Sequence, residues 1–156
     1  MADPAYIVDG VLTDGEAWVG IAHASLSLPA ATVTWTSTDD GQVGDFSQYM
    51  DLVIVSYTRS DHASVIRYLH MNFNNSSGAR HSVQWFWGDG ATAYASATNR
   101  STAEQPIGVV LGAGAAANEF SSTVTHLFDI NSGKYKSGVT MSAGDSDGDG
   151  EVILNG

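Results

Sequence analysis

Hydrophobic and polar residues alternate along much of this chain with a period of two, the spacing that sends successive side chains to opposite faces of a β-strand. In Thr32-Val33-Thr34-Trp35-Thr36, Val33 and Trp35 share one face and the threonines the other. Glu16 to Ile21 forms a weaker strand before it. Asp51 to Thr58 holds the unbroken run Leu52-Val53-Ile54-Val55, which predicts a central strand covered on both faces. Val65 to Phe73 follows, with Leu69, Met71 and Phe73 on one face. Asn74-Asn75-Ser76-Ser77-Gly78 is a turn, and Arg80 to Trp87 is the return strand of a predicted hairpin. Residues 91 to 105 are small and polar without a period. Ile107 to Leu111 is a short buried strand, and Ser122 to Ile130 alternates with Val124, Phe128 and Ile130 on one face. Tyr135 to Met141 and Val152 to Leu154 complete the set. Further turns fall at Asp39-Asp40-Gly41, Gly88-Asp89-Gly90 and Asn131-Ser132-Gly133.

No window of eleven residues carries a sustained helical stripe with caps. Strands separated by glycine turns at this spacing predict an all-β fold, an antiparallel β-sandwich or jelly-roll-like domain. At 156 residues the chain reads as a single domain over 1–156, with residues 1–15 as an extended N-terminal arm.

Charge narrows the partners. Seventeen acidic residues against six basic ones give a net charge of −11. Nucleic-acid and anionic-membrane partners both need clustered Lys and Arg, so neither is expected. Nine of the acids lie at or before Asp61 against one base, Arg59, so that part is either simply a solvated surface or an arm that faces a basic partner. Cysteine is absent, which excludes disulfides, thiolate metal sites and a cysteine nucleophile.

Candidate chemistry is sparse. Asp145-Ser146-Asp147-Gly148-Asp149-Gly150-Glu151 matches the opening of a calcium loop, with oxygen ligands at alternate positions and glycine at the sharp turn. Asp145, Asp147, Asp149 and Glu151 are therefore the candidate Ca²⁺ ligands, although position 12 of such a loop falls on Gly156 and supplies no carboxylate. The plainer alternative is an acidic turn that leads into Val152-Ile153-Leu154. Trp85, Trp87 and Tyr94 form a candidate glycan platform, since aromatic faces suit sugar rings; the alternation favours instead that Trp85 and Trp87 point inward. His126 shares parity with Val124 and Phe128 and reads as a core histidine rather than a ligand. No GxSxG, HExxH or phosphate-loop pattern occurs, so no enzyme mechanism can be assembled. No cofactor is expected beyond the Ca²⁺ candidate.

Several segments stand in a recognisable order: Phe46-Ser47-Gln48-Tyr49-Met50-Asp51-Leu52-Val53-Ile54-Val55, Tyr57-Thr58-Arg59-Ser60, Leu69 to Gly78, Trp87-Gly88-Asp89-Gly90, and Phe120 to Lys136 with Phe128-Asp129-Ile130. Over roughly residues 46 to 140 the chain resembles a family of small virion structural proteins of tailed bacteriophages, common among marine and cyanobacterial phages. The resemblance implies a structural, non-enzymatic role on the phage particle: a capsid decoration or cement protein on the outer surface of the major capsid protein shell, made in the host cytoplasm. A homo-oligomer is expected, a trimer or hexamer cluster, because one small domain offers limited surface for anchoring. The alternative is a tail-fibre or receptor-binding module that reads host glycans through Trp85, Trp87 or Tyr94. Such proteins usually end with a further Trp-containing segment and a strand near Leu-Tyr-Gly, which this chain lacks. Either the sandwich closes differently here, or a partner chain completes it.

Overall fold

The computed structural model describes residues 7–8, 11–12, 18, 20–37, 45–74, 76, 78–88, 91–102, 104–145 and 151–155, and of these the backbone alone at 7–8, 11–12, 98–102 and 151–155. The chain divides into two units, Met1–Tyr49 and Met50–Gly156.

In the first unit, β1 (Ile7–Val8) and β2 (Val11–Leu12) form a two-stranded antiparallel pair. A single 3₁₀ turn spans Phe46–Gln48. Asp45 caps it, accepting from the Ser47 N–H at 2.9 Å and the Ser47 hydroxyl at 2.7 Å. Ser37 Oγ accepts the Phe46 N–H at 2.8 Å. The strand expected at Thr32–Thr36 does not form: all five residues are exposed and lie in no ladder. Alternation separates two faces, but a strand also needs a neighbour to take its backbone groups. Of the weak strand at 16–21, the described Trp18, Gly20 and Ile21 are not extended into a ladder either. The turn at Asp39-Asp40-Gly41 lies outside the described residues.

The second unit is all-β and sandwich-like. Its strands are β3 (Leu52–Thr58), β4 (Ile66–Met71), β5 (His81–Gly88), β6 (Ala93–Thr102), β7 (Gln105–Leu111), β8 (Ser121–Phe128), β9 (Ser137–Gly144) and β10 (Glu151–Asn155). Six form an antiparallel sheet in the order β3-β8-β9-β10-β5-β6, and β4 pairs with β7 as a second layer. β7 packs across β8 and β9. The core lies between the layers and consists of Val83, Ile107, Val109, Val110, Leu111, Ala115 and Leu127.

β7 is the strand covered on both sides, with its last five residues buried. β3, expected to be central, is an edge strand that pairs only with β8 in the large sheet, and Val55 is 74% exposed. The two apolar runs are alike in sequence, and only the partner arrangement separates them. The predicted β4–β5 hairpin is also absent. Asn74, at φ 51°, turns the chain as expected, but β4 then pairs with β7 and β5 pairs with β6 and β10. A turn reverses direction; here the need to cover β7 decides which strands pair. β6 carries no hydrophobic period because it is an edge strand built from small residues, so it is visible only through its ladder with β5.

The largest departure is in β8. Its buried face is Ser121, Thr123, Thr125 and Leu127, while Val124 is exposed. Thr140 and Ser142 of β9 are buried beside them. Two of these hydroxyls, those of Ser121 and Ser142, supply acceptors to the edge of β7 that faces away from β4. On the side toward β4, the Gly112 N–H donates to the Val65 carbonyl. The N–H groups of Val109 and Leu111, of opposite parity, point the other way. Val109 N–H donates to Ser142 Oγ at 3.1 Å, and Leu111 N–H donates to Ser121 Oγ at 2.9 Å. The Leu111 carbonyl accepts the Ser60 N–H at 2.7 Å. A wholly apolar inner face would leave those buried N–H groups unpaired, at about 1–3 kcal/mol each. Thr125 and Thr140 bond each other across the β8–β9 pair at 2.9 Å.

Candidate functional site

Asp51, the residue before β3, reaches the far end of β8. Its Oδ1 accepts the Asp129 N–H at 2.8 Å, and its Oδ2 lies 3.0 Å from His126 Nε2. The Asp129 hydrogen bond, then that of His126 and the pull of its charge, hold the Asp51 carboxyl below its ordinary value of 3.8. Asp129 sits at φ 50°, and the Lys136 ammonium donates to its carbonyl at 2.7 Å. The His126 ring packs on Phe128 with centroids 4.1 Å apart. His126 is therefore not a core histidine: its side chain is 37% exposed, on the outer face, because the buried parity of β8 is the hydroxyl one. Seventy-five residues separate Asp51 from His126, so no local pattern pairs them. The only signal was that both stand in segments of the recognisable order.

A second junction forms at Arg59, just after β3. Its Nη1 donates to the carbonyls of Ala116 and Glu119 at 2.6 and 2.8 Å, and its Nη2 to that of Ala115 at 2.9 Å. The guanidinium fork thus gathers the Ala-Gly loop that follows β7. That loop is tightly packed: a Cβ on Gly112 would lie 2.0 Å from the Ser64 carbonyl oxygen, and one on Gly114 2.6 Å from that of Ala63. Ala113 N–H donates to the His62 carbonyl at 2.7 Å.

Trp85 and Trp87 lie on the parity of Val83, the buried one, and both are half-buried. Tyr94 faces Trp87 across the β5–β6 pair, and their rings stack with centroids 5.1 Å apart at 15°. The platform residues are thus on one face, with Ser96 opposite Trp85. Of the acidic turn, Asp145 is exposed just after β9, Asp147 and Asp149 lie outside the described residues, and only the backbone of Glu151 is described, paired with Gly144. Among the described residues no three His, Asp or Glu side chains converge as a metal site. Among them, too, no helix is long and apolar enough to cross a membrane.

Models of protein families, curated proteins and solved structures give no match to this chain.

Proposed function

We propose that this chain is a structural component of a bacteriophage particle, a decoration protein that binds the outer surface of the major capsid protein shell. One observation supports a structural role. Two charged residues of the phage-like order, Asp51 and Arg59, join distant chain segments: Asp51 ties β3 to the β8–β9 turn, and Arg59 ties it to the loop after β7. Binding would add free energy to the shell by mass action, favouring the decorated state. The acid-rich residues through Asp61 would meet basic loops of the shell.

The test is to mix the purified chain with emptied, undecorated heads and to locate it in particle fractions. Co-sedimentation with heads, weakened by salt, is the expected result. Recovery only with tail fractions, or no binding to bare heads, overturns the reading.

The stacked Trp87–Tyr94 pair favours a second reading, a tail-borne glycan-binding module. That reading expects glycans to quench or shift tryptophan fluorescence, and a Trp87→Ala variant to lose the response. An unchanged spectrum across a glycan panel removes it.

A further inference from the structure

On β8 and β9 the six-stranded sheet buries hydroxyls (Ser121, Thr123, Thr125, Thr140 and Ser142) beneath the second layer and exposes Val124, Val139 and Met141 on its outer face. The ladder registers align one row across all six strands: Val55, Val124, Met141, Leu154, Phe86 and Ala95. Val55, Met141 and Phe86 are 74%, 59% and 59% exposed. The next row runs Tyr57, Ser122, Ala143, Val152, Gly88 and Ala93. These two rows contain no Asp, Glu, Lys or Arg, in a chain of net charge −11. The exposed large apolar residues on this face, from Val55 and Tyr57 to Val139, Met141 and Phe86, amount to on the order of 700 Å². That exceeds the roughly 300–600 Å² of the largest patch on an ordinary monomer, and approaches the roughly 800 Å² that each partner gives to a standard interface.

We propose that this face pairs with the same face of a second copy of the chain, giving a two-fold dimer with the two six-stranded sheets stacked. Charge selects the occupant. These two rows carry no charged residue, so two −11 chains can meet there without like-charge contact. A basic partner, by contrast, would gain nothing from rows that carry no carboxylate. Shape agrees. A two-fold axis along the strands, between β9 and β10, lays β3 of one copy over β6 of the other. Val53, Val55 and Tyr57 then oppose Ala97, Ala95 and Ala93, so the bulky edge of one sheet meets the small edge of its partner. Aligned stacking of this kind is an ordinary way for two sheets to pack. The dimer stands on the sheet's own residues and does not depend on the phage assignment.

Sedimentation equilibrium of the full chain is expected to give twice 16.4 kDa. Val55→Asp and Met141→Asp place new acids on exposed positions, and each is expected to raise the dissociation constant at least about tenfold while leaving the circular dichroism spectrum unchanged. Because the chain has no cysteine, crosslinking gives a second, independent readout. A mixture of Val55→Cys and Ala95→Cys chains is expected to form an intermolecular disulfide under mild oxidation, several-fold more than either variant alone. A chain that stays monomeric at about 100 µM overturns the proposal. So does an oligomer that both Asp variants leave intact, or crosslinking in the mixture no greater than in the single-variant controls.

Discussion

The Ser121 hydroxyl accepts the Leu111 N–H at 2.9 Å, and Ser121 has no solvent exposure at all. With the Ser142 contact to Val109, it gives the open edge of β7 the acceptors that a neighbouring strand would otherwise supply. Hydroxyl side chains therefore dock the second layer onto the large sheet. Ser121→Ala and Ser142→Ala each leave a buried N–H unpaired, and each is expected to cost about 1–3 kcal/mol in urea unfolding.

Thr123 lies on the same buried face, but its Oγ1 has no hydrogen-bond partner. Thr123→Val keeps the shape and removes an unpaired hydroxyl. It is expected to leave stability unchanged or to raise it by up to about 1 kcal/mol. The opposite signs at Ser121 and Thr123, measured side by side, separate docking hydroxyls from merely buried ones.

Gly108 adopts φ +150° where β7 crosses β9, and a Cβ there would lie 2.7 Å from the Ser142 Cβ. Gly108→Ala adds backbone strain and a clash in one step, and is expected to destabilise by about 3 kcal/mol or more. A midpoint within experimental error of the parent would refute this account of the layer contact.

Asp51 sets an acid dependence. Its carboxyl ionises more readily folded than unfolded, because the Asp129 N–H and His126 bind its charged form. Its contribution is therefore complete above about pH 5 and is lost as falling pH protonates it in the folded chain. Asp51→Asn is expected to lower the melting temperature at neutral pH and to flatten its fall between about pH 5 and pH 2. Parallel acid limbs for variant and parent would show that the carboxylate does not contribute.

Much of the secondary structure was legible in the sequence because β-strands announce themselves by period or by short apolar runs. β5, β7 and β8 lie within two residues of the expected spans. β6 escaped because Ala, Ser and Thr give an edge strand no contrast between faces, and Thr32–Thr36 misled because contrast alone makes no ladder. The Asp51–His126 and Arg59 junctions were out of reach, since their partners lie 56 to 78 residues away in the chain. Trp87 and Tyr94 were legible as residues, but not as a stack.

By itself, the sequence determined that this chain is all-β, cysteine-free and strongly acidic, because strand period and charge are local or additive properties. Only the tertiary structure decided which strand is covered and which face is inside. On β8 the parity of Val124 looked like the core, yet Ser121, Thr123 and Thr125 are buried instead. The physical reason is that burial must satisfy backbone hydrogen bonds as well as remove apolar surface, and the edge of β7, distant in sequence, takes its acceptors from Ser121 and Ser142 on that face.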